Sequence, residues 1–208
     1  MIDHPLASHL LLQLRDETTP PAVFRNITKR LTACLILEAT RDLPTEERTV
    51  STPLEETSGP ALASPIVTIP ILRAGLGMLE AVVELFPEVR VGYIGLERDE
   101  ATFEPSEYYA KVPDMSDAVT IVLDPMLATG GSAEAALRSV KDKGAQRILM
   151  VSIVSSPEGI GALQEAHPDV DIFTAAIDRE LNENAYIMPG LGDFGDRLFG
   201  TNSSATVA

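Results

Sequence analysis

Residues 119–132 read VTIVLDPMLATGGS. Five apolar or β-branched residues, Val119 to Leu123, stop at a single acid, Asp124. Pro125, Met126, Leu127 and Ala128 follow, then Thr129, Gly130, Gly131 and Ser132, where a helix-like pattern begins. Glycines between a buried strand and a helix let backbone N–H groups turn toward one point, and the helix N-terminus adds a positive partial charge. Thr129 and Ser132 supply hydroxyl donors. The stretch predicts a monophosphate cradle that needs no lysine, with the Asp124 carboxylate placed to hold ribose hydroxyls. The bland alternative is a strand-to-helix turn in which Ser132 is the N-cap.

The flanking sequence repeats this alternation. Continuous apolar runs at PIVTIPI (65–71), VGYIGLE (91–97), RILMVSIVS (147–155) and VDIFTAAID (170–178) predict buried strands. Amphipathic stretches at 74–86, 132–144 and 157–167 predict helices. Strands of this kind alternating with helices imply an α/β fold with a mostly parallel central sheet covered on both faces. Before the core, residues 5–16 predict one helix. A second starts at Pro20/Pro21 with Thr19 as N-cap and runs to about Arg41, its core face set by Val23, Ile27, Leu31 and Cys34/Leu35. Residues 48–63 predict a β-hairpin arm turning at Ser58-Gly59-Pro60. Residues 99–118 carry no pattern, and the loop 99–113 is a candidate lid, with Tyr108, Tyr109 and Lys111 as lid contacts or plain packing. The expected organisation is one domain: N-terminal helices 1–45, arm 48–63 and core 65–200. The tail TNSSATVA is expected to fray.

Composition bounds the partners. The 208 residues hold 16 Lys and Arg against 31 Asp and Glu, a net charge of −15. Such a surface repels nucleic acid and anionic membranes. It also repels phosphorylated metabolites, so arginines isolated in apolar or acidic stretches near a phosphate site stand out. Cys34 is the only cysteine, which excludes an internal disulfide and fits a reducing cytoplasm. No apolar run reaches the ~18 residues of a membrane helix, and the N-terminus lacks the features of a signal peptide. His4, His9 and His167 lie outside the motif segments and read as surface or capping residues.

Open parallel sheets bind ligands beyond the carboxyl ends of their strands. Three segments fall there: PILRAGLG, ERDEATFEP and DPMLATGGS. Arg73 and Arg98, at neighbouring strand ends, could clamp a diphosphate bidentately. Cradle, diol-holding acid and clamp then describe one ligand, a ribose 5-phosphate bearing a 1-diphosphate. PGLGDFGD (189–196) contains G-x-G-x-x-G, but only 13 residues follow Gly195. A dinucleotide fingerprint needs a long helix and an acid about 20 residues on, so a nicotinamide-dependent oxidoreductase is set aside.

These residues resemble the uracil phosphoribosyltransferases along nearly the whole chain. The likeness runs from HPLASHLLLQLRDETT and EATRDLP through TPLEET, PILRAGLGM, ERDEATFEP and YYAKVP to LDPMLATGGS and AYIMPGLGDFGDRLFGT. Pro125 stands where the wider superfamily has a second acid, as in the uracil subfamily. Glu97 replaces a usual aromatic residue, and Phe194 a commonly smaller one. The resemblance implies transfer of phosphoribosyl from phosphoribosyl diphosphate to uracil, giving UMP and diphosphate. It implies that Asp124, Pro125, Met126, Leu127, Ala128, Thr129, Gly130, Gly131 and Ser132 bind the ribose 5-phosphate. Arg73 and Arg98 would contact the diphosphate. Ile187, Gly192, Asp193 and Phe194 would frame uracil, with Asp193 also meeting the sugar diphosphate. Asp124, Arg98 and Asp193 are the implied catalytic residues. Mg²⁺ is the implied cofactor, GTP a candidate effector, and a homodimer or larger homo-oligomer the implied assembly. Two other readings compete: transfer to another base, against which PGLGDFGD argues, and a non-catalytic member of the fold that binds nucleotides and RNA. The second needs a basic face that four lysines in a chain of charge −15 do not suggest.

Overall fold

A computed structural model describes residues 1–98 and 105–201. The tail beyond Thr201 and the first part of the expected lid, residues 99–104, lie outside the described residues. The chain opens with α1 (Pro5–Arg15) and α2 (Pro21–Ala39), followed by a hairpin of β1 (Thr45–Ser51) and β2 (Glu56–Leu62). Then come β3 (Ile66–Leu72), α3 (Leu76–Leu85), β4 (Arg90–Val91), β5 (Tyr93–Arg98) and β6 (Pro105–Lys111). The next elements are β7 (Val119–Leu123), β8 (Met126–Leu127), α4 (Gly131–Asp142), β9 (Arg147–Ser155), α5 (Pro157–Ala166) and β10 (Asp171–Ile177). Two short strands, β11 (Glu180–Leu181) and β12 (Ile187–Met188), precede α6 (Phe194–Phe199).

The central sheet runs β10-β9-β7-β3-β5-β6. Every pair along it is parallel except β5–β6. Alternation along the strands builds two cores. Val119, Ile121 and Leu123 of β7, with Leu149, Val151 and Ile153 of β9, face α1, α2 and α3. Val122, Ile148 and Met150 face α4 and α5 through Leu137, Val140 and Leu163. Both faces are therefore apolar, and the strands read as unbroken hydrophobic runs.

Several local expectations need correction. The arm turns at residues 52–55: the Thr52 hydroxyl accepts the N–H groups of Leu54 and Glu55, and Thr52 N–H donates to Glu55 O at 2.9 Å. Gly59 and Pro60 lie within β2, opposite Arg48 and Glu47. Pro60 is tolerated because a two-stranded arm consists of edges. The N-cap of α2 is Pro20, while the Thr19 hydroxyl donates to Gln13 O at 2.7 Å. The buried face of α2 uses Phe24, Ile27, Leu31 and Leu35; Val23 is 48% exposed and Cys34 half-buried. His4 does cap α1, its Nδ1 accepting from Leu6 N–H, whereas His167 is buried beside Lys141. Residues 105–111 of the patternless segment form an edge strand. Tyr108 on it lies so close over Gly95 that a Cβ there would sit 2.4 Å from its ring.

Candidate active site

Because β3 and β7 are neighbours, Arg73 and Asp124 leave the sheet side by side, each one residue past its strand. They open onto a cavity of about 180 Å³ lined by residues 71–74, Asp124 and residues 126–133. Arg98 ends β5, the strand on the far side of β3 from β7, so the two arginines close adjacent strands as expected.

The glycine loop presents backbone to this cavity. The N-cap of α4 is Gly130, with φ 87° and no side-chain cap. Ser132 lies inside the helix rather than capping it. The Gly131 N–H reaches the Thr129 hydroxyl at a long 3.5 Å, and the N-terminus of α4 otherwise points its donors at an acceptor in the cavity. A left-handed φ suits glycine at position 130. Gly75 is constrained in another way: a Cβ there would sit 2.4 Å from Leu123 O and 2.8 Å from Ile71 N and O. The Arg73 loop can thus lie against the end of β7 only without a side chain at 75. The Leu72–Arg73 and Met188–Pro189 peptides are cis.

Asp124 is half-buried, with its N–H on Val151 O. Burial at the strand end pushes its carboxyl up from 3.8 to about 7, opposed only in part by the Met126 N–H that bonds the carboxylate. A charge developing next to it would find it poised near neutrality. Pro125, expected among the binding residues, is buried and lines neither this cavity nor the next. Its carbonyl accepts from Ile153 and Val154 N–H, both at 3.0 Å, so it anchors the strand end.

A second cavity, about 350 Å³, is lined by Ala74, Met126, Ala128, residues 184–187 and residues 192–195. Ala74, Met126 and Ala128 line both, so the two spaces share a wall. Ile187, Gly192, Asp193 and Phe194, expected to frame the base, thereby lie next to the cavity of the glycine loop. The exposed Asp193 caps α6 by accepting from Asp196 N–H at 2.8 Å. The Phe194 ring packs edge-on against Phe24, centroids 5.0 Å apart, and is almost fully buried. Asn184, Ala185 and Tyr186 were not foreseen. Their turn is built by Asn182, whose Oδ1 accepts from Asn184 and Tyr186 N–H, a local signal that an Asn-rich run carries.

Known proteins resemble this chain in fold and in sequence. A hypoxanthine-guanine phosphoribosyltransferase from Bacillus anthracis aligns with a TM-score of 0.50 at 11% identity, covering 76% of this chain and 81% of that one. At that distance the likeness shows a fold, that of the phosphoribosyltransferase class. The AQ2163 protein of Aquifex aeolicus is much nearer, with a TM-score of 0.92 at 36% identity over 100% of this chain and 98% of that chain. Uracil phosphoribosyltransferases of Symbiobacterium thermophilum and Enterococcus faecalis are 52% and 49% identical, each over 97% of this chain and 97% of the relative. The family model for uracil phosphoribosyltransferase matches residues 1–201. The chain belongs to the uracil phosphoribosyltransferase family.

Proposed function

We propose that this chain transfers the phosphoribosyl group of phosphoribosyl diphosphate to uracil, forming UMP and diphosphate. The observation that carries the reading is the shared wall of the two cavities, which brings an anion cradle and a base-sized pocket into contact. The ribose 5-phosphate takes N–H groups and hydroxyls of residues 126–132, and Asp124 holds the ribose hydroxyls. Arg73 and Arg98 hold the diphosphate. Uracil lies against Ile187 and residues 192–194, read mainly by backbone groups, and Asp193 faces both substrates. In the reaction the uracil N1–C1 bond forms and the C1–O bond to diphosphate breaks. Its electron pair leaves with diphosphate, and the N1 proton is released. The chain's own contribution is positioning and charge stabilisation of an oxocarbenium-like state.

Mg²⁺ fits as an ion carried by the substrate. No group of three or more His, Cys, Asp or Glu among the described residues could hold it alone. Bound to diphosphate oxygens, it would neutralise the leaving group. The arm supports a homodimer or larger assembly: nearly all of it is exposed, including Leu54 at 95%, and a two-stranded hairpin is marginal alone. Light scattering on the purified chain tests this; a monomer at all concentrations would overturn it. One domain, GTP as an effector and a cytoplasmic location complete the reading. The last is supported by the lone cysteine, and no described helix is long and apolar enough to cross a membrane. The decisive assay incubates the protein with Mg²⁺, phosphoribosyl diphosphate and a panel of labelled bases. UMP from uracil alone is expected; no nucleotide from any base would refute the proposal.

A further inference from the structure

The loop that lines the base pocket is gripped from behind by the N-terminal helix. Arg15, the last residue of α1, forms a two-pronged ion pair with Asp178, with Nη2–Oδ1 at 2.6 Å and Nη1–Oδ2 at 2.8 Å. The same Nη1 donates to Gly190 O at 2.9 Å, and Gly190 N–H donates to Asp178 Oδ2 at 2.8 Å. Both backbone groups of one loop residue thus close onto one ion pair. Asp178 is 7% exposed. A carboxylate so buried is tolerated because three donors converge on it. Arg197 extends the grip, donating to Leu191 O at 2.9 Å and to Leu14 and Asp16 O at 2.6 Å each.

Gly190 and Leu191 do not line the base cavity; Ile187 on one side and Gly192 to Phe194 on the other side do. The gripped pair is therefore the fulcrum between the two halves of the pocket. None of the gripping residues lines the phosphate cavity. Nor is the ion pair needed to hold α1 in place, since Ala7, Leu10, Leu11 and Leu14 already bury that helix in the core.

We propose that the Arg15–Asp178 pair is a positioning device for base recognition, setting the affinity for uracil through Gly190 without touching the base. This rests on the base pocket of the proposed function. An ammonium in place of the guanidinium keeps the charge but cannot hold Asp178 by two prongs and Gly190 O together.

The test measures UMP formation by wild type, Arg15→Lys and Asp178→Asn, with KM determined separately for uracil and for phosphoribosyl diphosphate. Losing one charge-assisted contact of this kind predicts a rise of about tenfold in KM for uracil. KM for phosphoribosyl diphosphate should stay within about twofold of wild type, since the cradle is untouched. That unchanged KM also serves as the internal control for folding. Equal rises for both substrates would mean a merely structural role and overturn the proposal, as would an unchanged uracil KM. If Asp178→Asn does not fold, Arg15→Lys decides alone. A wild type that makes no UMP would instead refute the function itself, and this inference with it.

Discussion

Replacing Asp124 with asparagine should make the ligand-free protein more stable and the enzyme far slower. The carboxyl has its pKa raised from 3.8 to about 7 because burial disfavours its charged form. Between those values the folded state keeps a proton that the unfolded chain releases. Folding stability therefore falls as pH rises from 3.8 toward 7 and then levels off. Three pKa units correspond to about 4 kcal/mol at most above pH ~8, and water in the adjoining cavity, solvating one side of the carboxylate, lowers that figure. Asparagine has the same shape and no charge, so the variant escapes the penalty. At about pH 5.5 roughly half of the penalty has already accrued, so the stability gap should widen by about 2 kcal/mol between there and pH ~8. This window stays above the sequence pI of about 4.5, where solubility would interfere. Urea unfolding of both proteins at one fixed protein concentration measures the gap. Turnover at pH ~8 should fall by well over tenfold, because asparagine cannot supply the charge that, in the proposed function, holds the ribose hydroxyls and faces the developing cation. A variant less stable than wild type, a gap that does not change with pH, or near-normal turnover would refute the reasoning.

The same carboxyl should appear in the kinetics. In wild type, kcat/KM for phosphoribosyl diphosphate should rise with pH through an apparent value near 7, and the step should be missing in Asp124→Asn; identical profiles would exclude Asp124. Gly75→Ala should cost about 1–3 kcal/mol of stability and displace the Arg73 loop, because its methyl would meet Leu123 O at 2.4 Å. Gly59→Ala, with nothing within 4 Å, should change neither stability nor activity, and equal behaviour of the two variants in thermal melts would count against the steric account. Chelating Mg²⁺ should stop turnover but leave the melting temperature of the ligand-free protein unchanged, since no cluster of three or more ligand side chains among the described residues could hold the ion. A large drop in melting temperature would point to a resident metal.

Much of the site was readable along the chain because its parts are local. β7, the lone acid, the glycine loop and α4 are contiguous, and strand and helix periods mark their own borders. The parallel sheet followed from apolar runs buried on both faces. Where neither face is buried that signal disappears. β6 is an exposed edge, and the arm is exposed on nearly every residue, so its register depends on the turn chemistry of Thr52. The Ser58-Gly59-Pro60 run looked like a turn only because its position inside an unpacked strand left no trace in the pattern.

What the sequence determined by itself was a βα glycine loop with one acid, the arginines at strand ends and a glycine-rich C-terminal segment. Tertiary structure alone decided how these meet. It put Arg73 beside Asp124 by pairing β3 with β7, and gave the two cavities a common wall at Ala74, Met126 and Ala128. It also raised the Asp124 carboxyl toward neutrality and closed Arg15 onto Asp178, 163 positions away. Burial and long-range pairing depend on which surfaces the folded chain brings together, and no local pattern of residues records that.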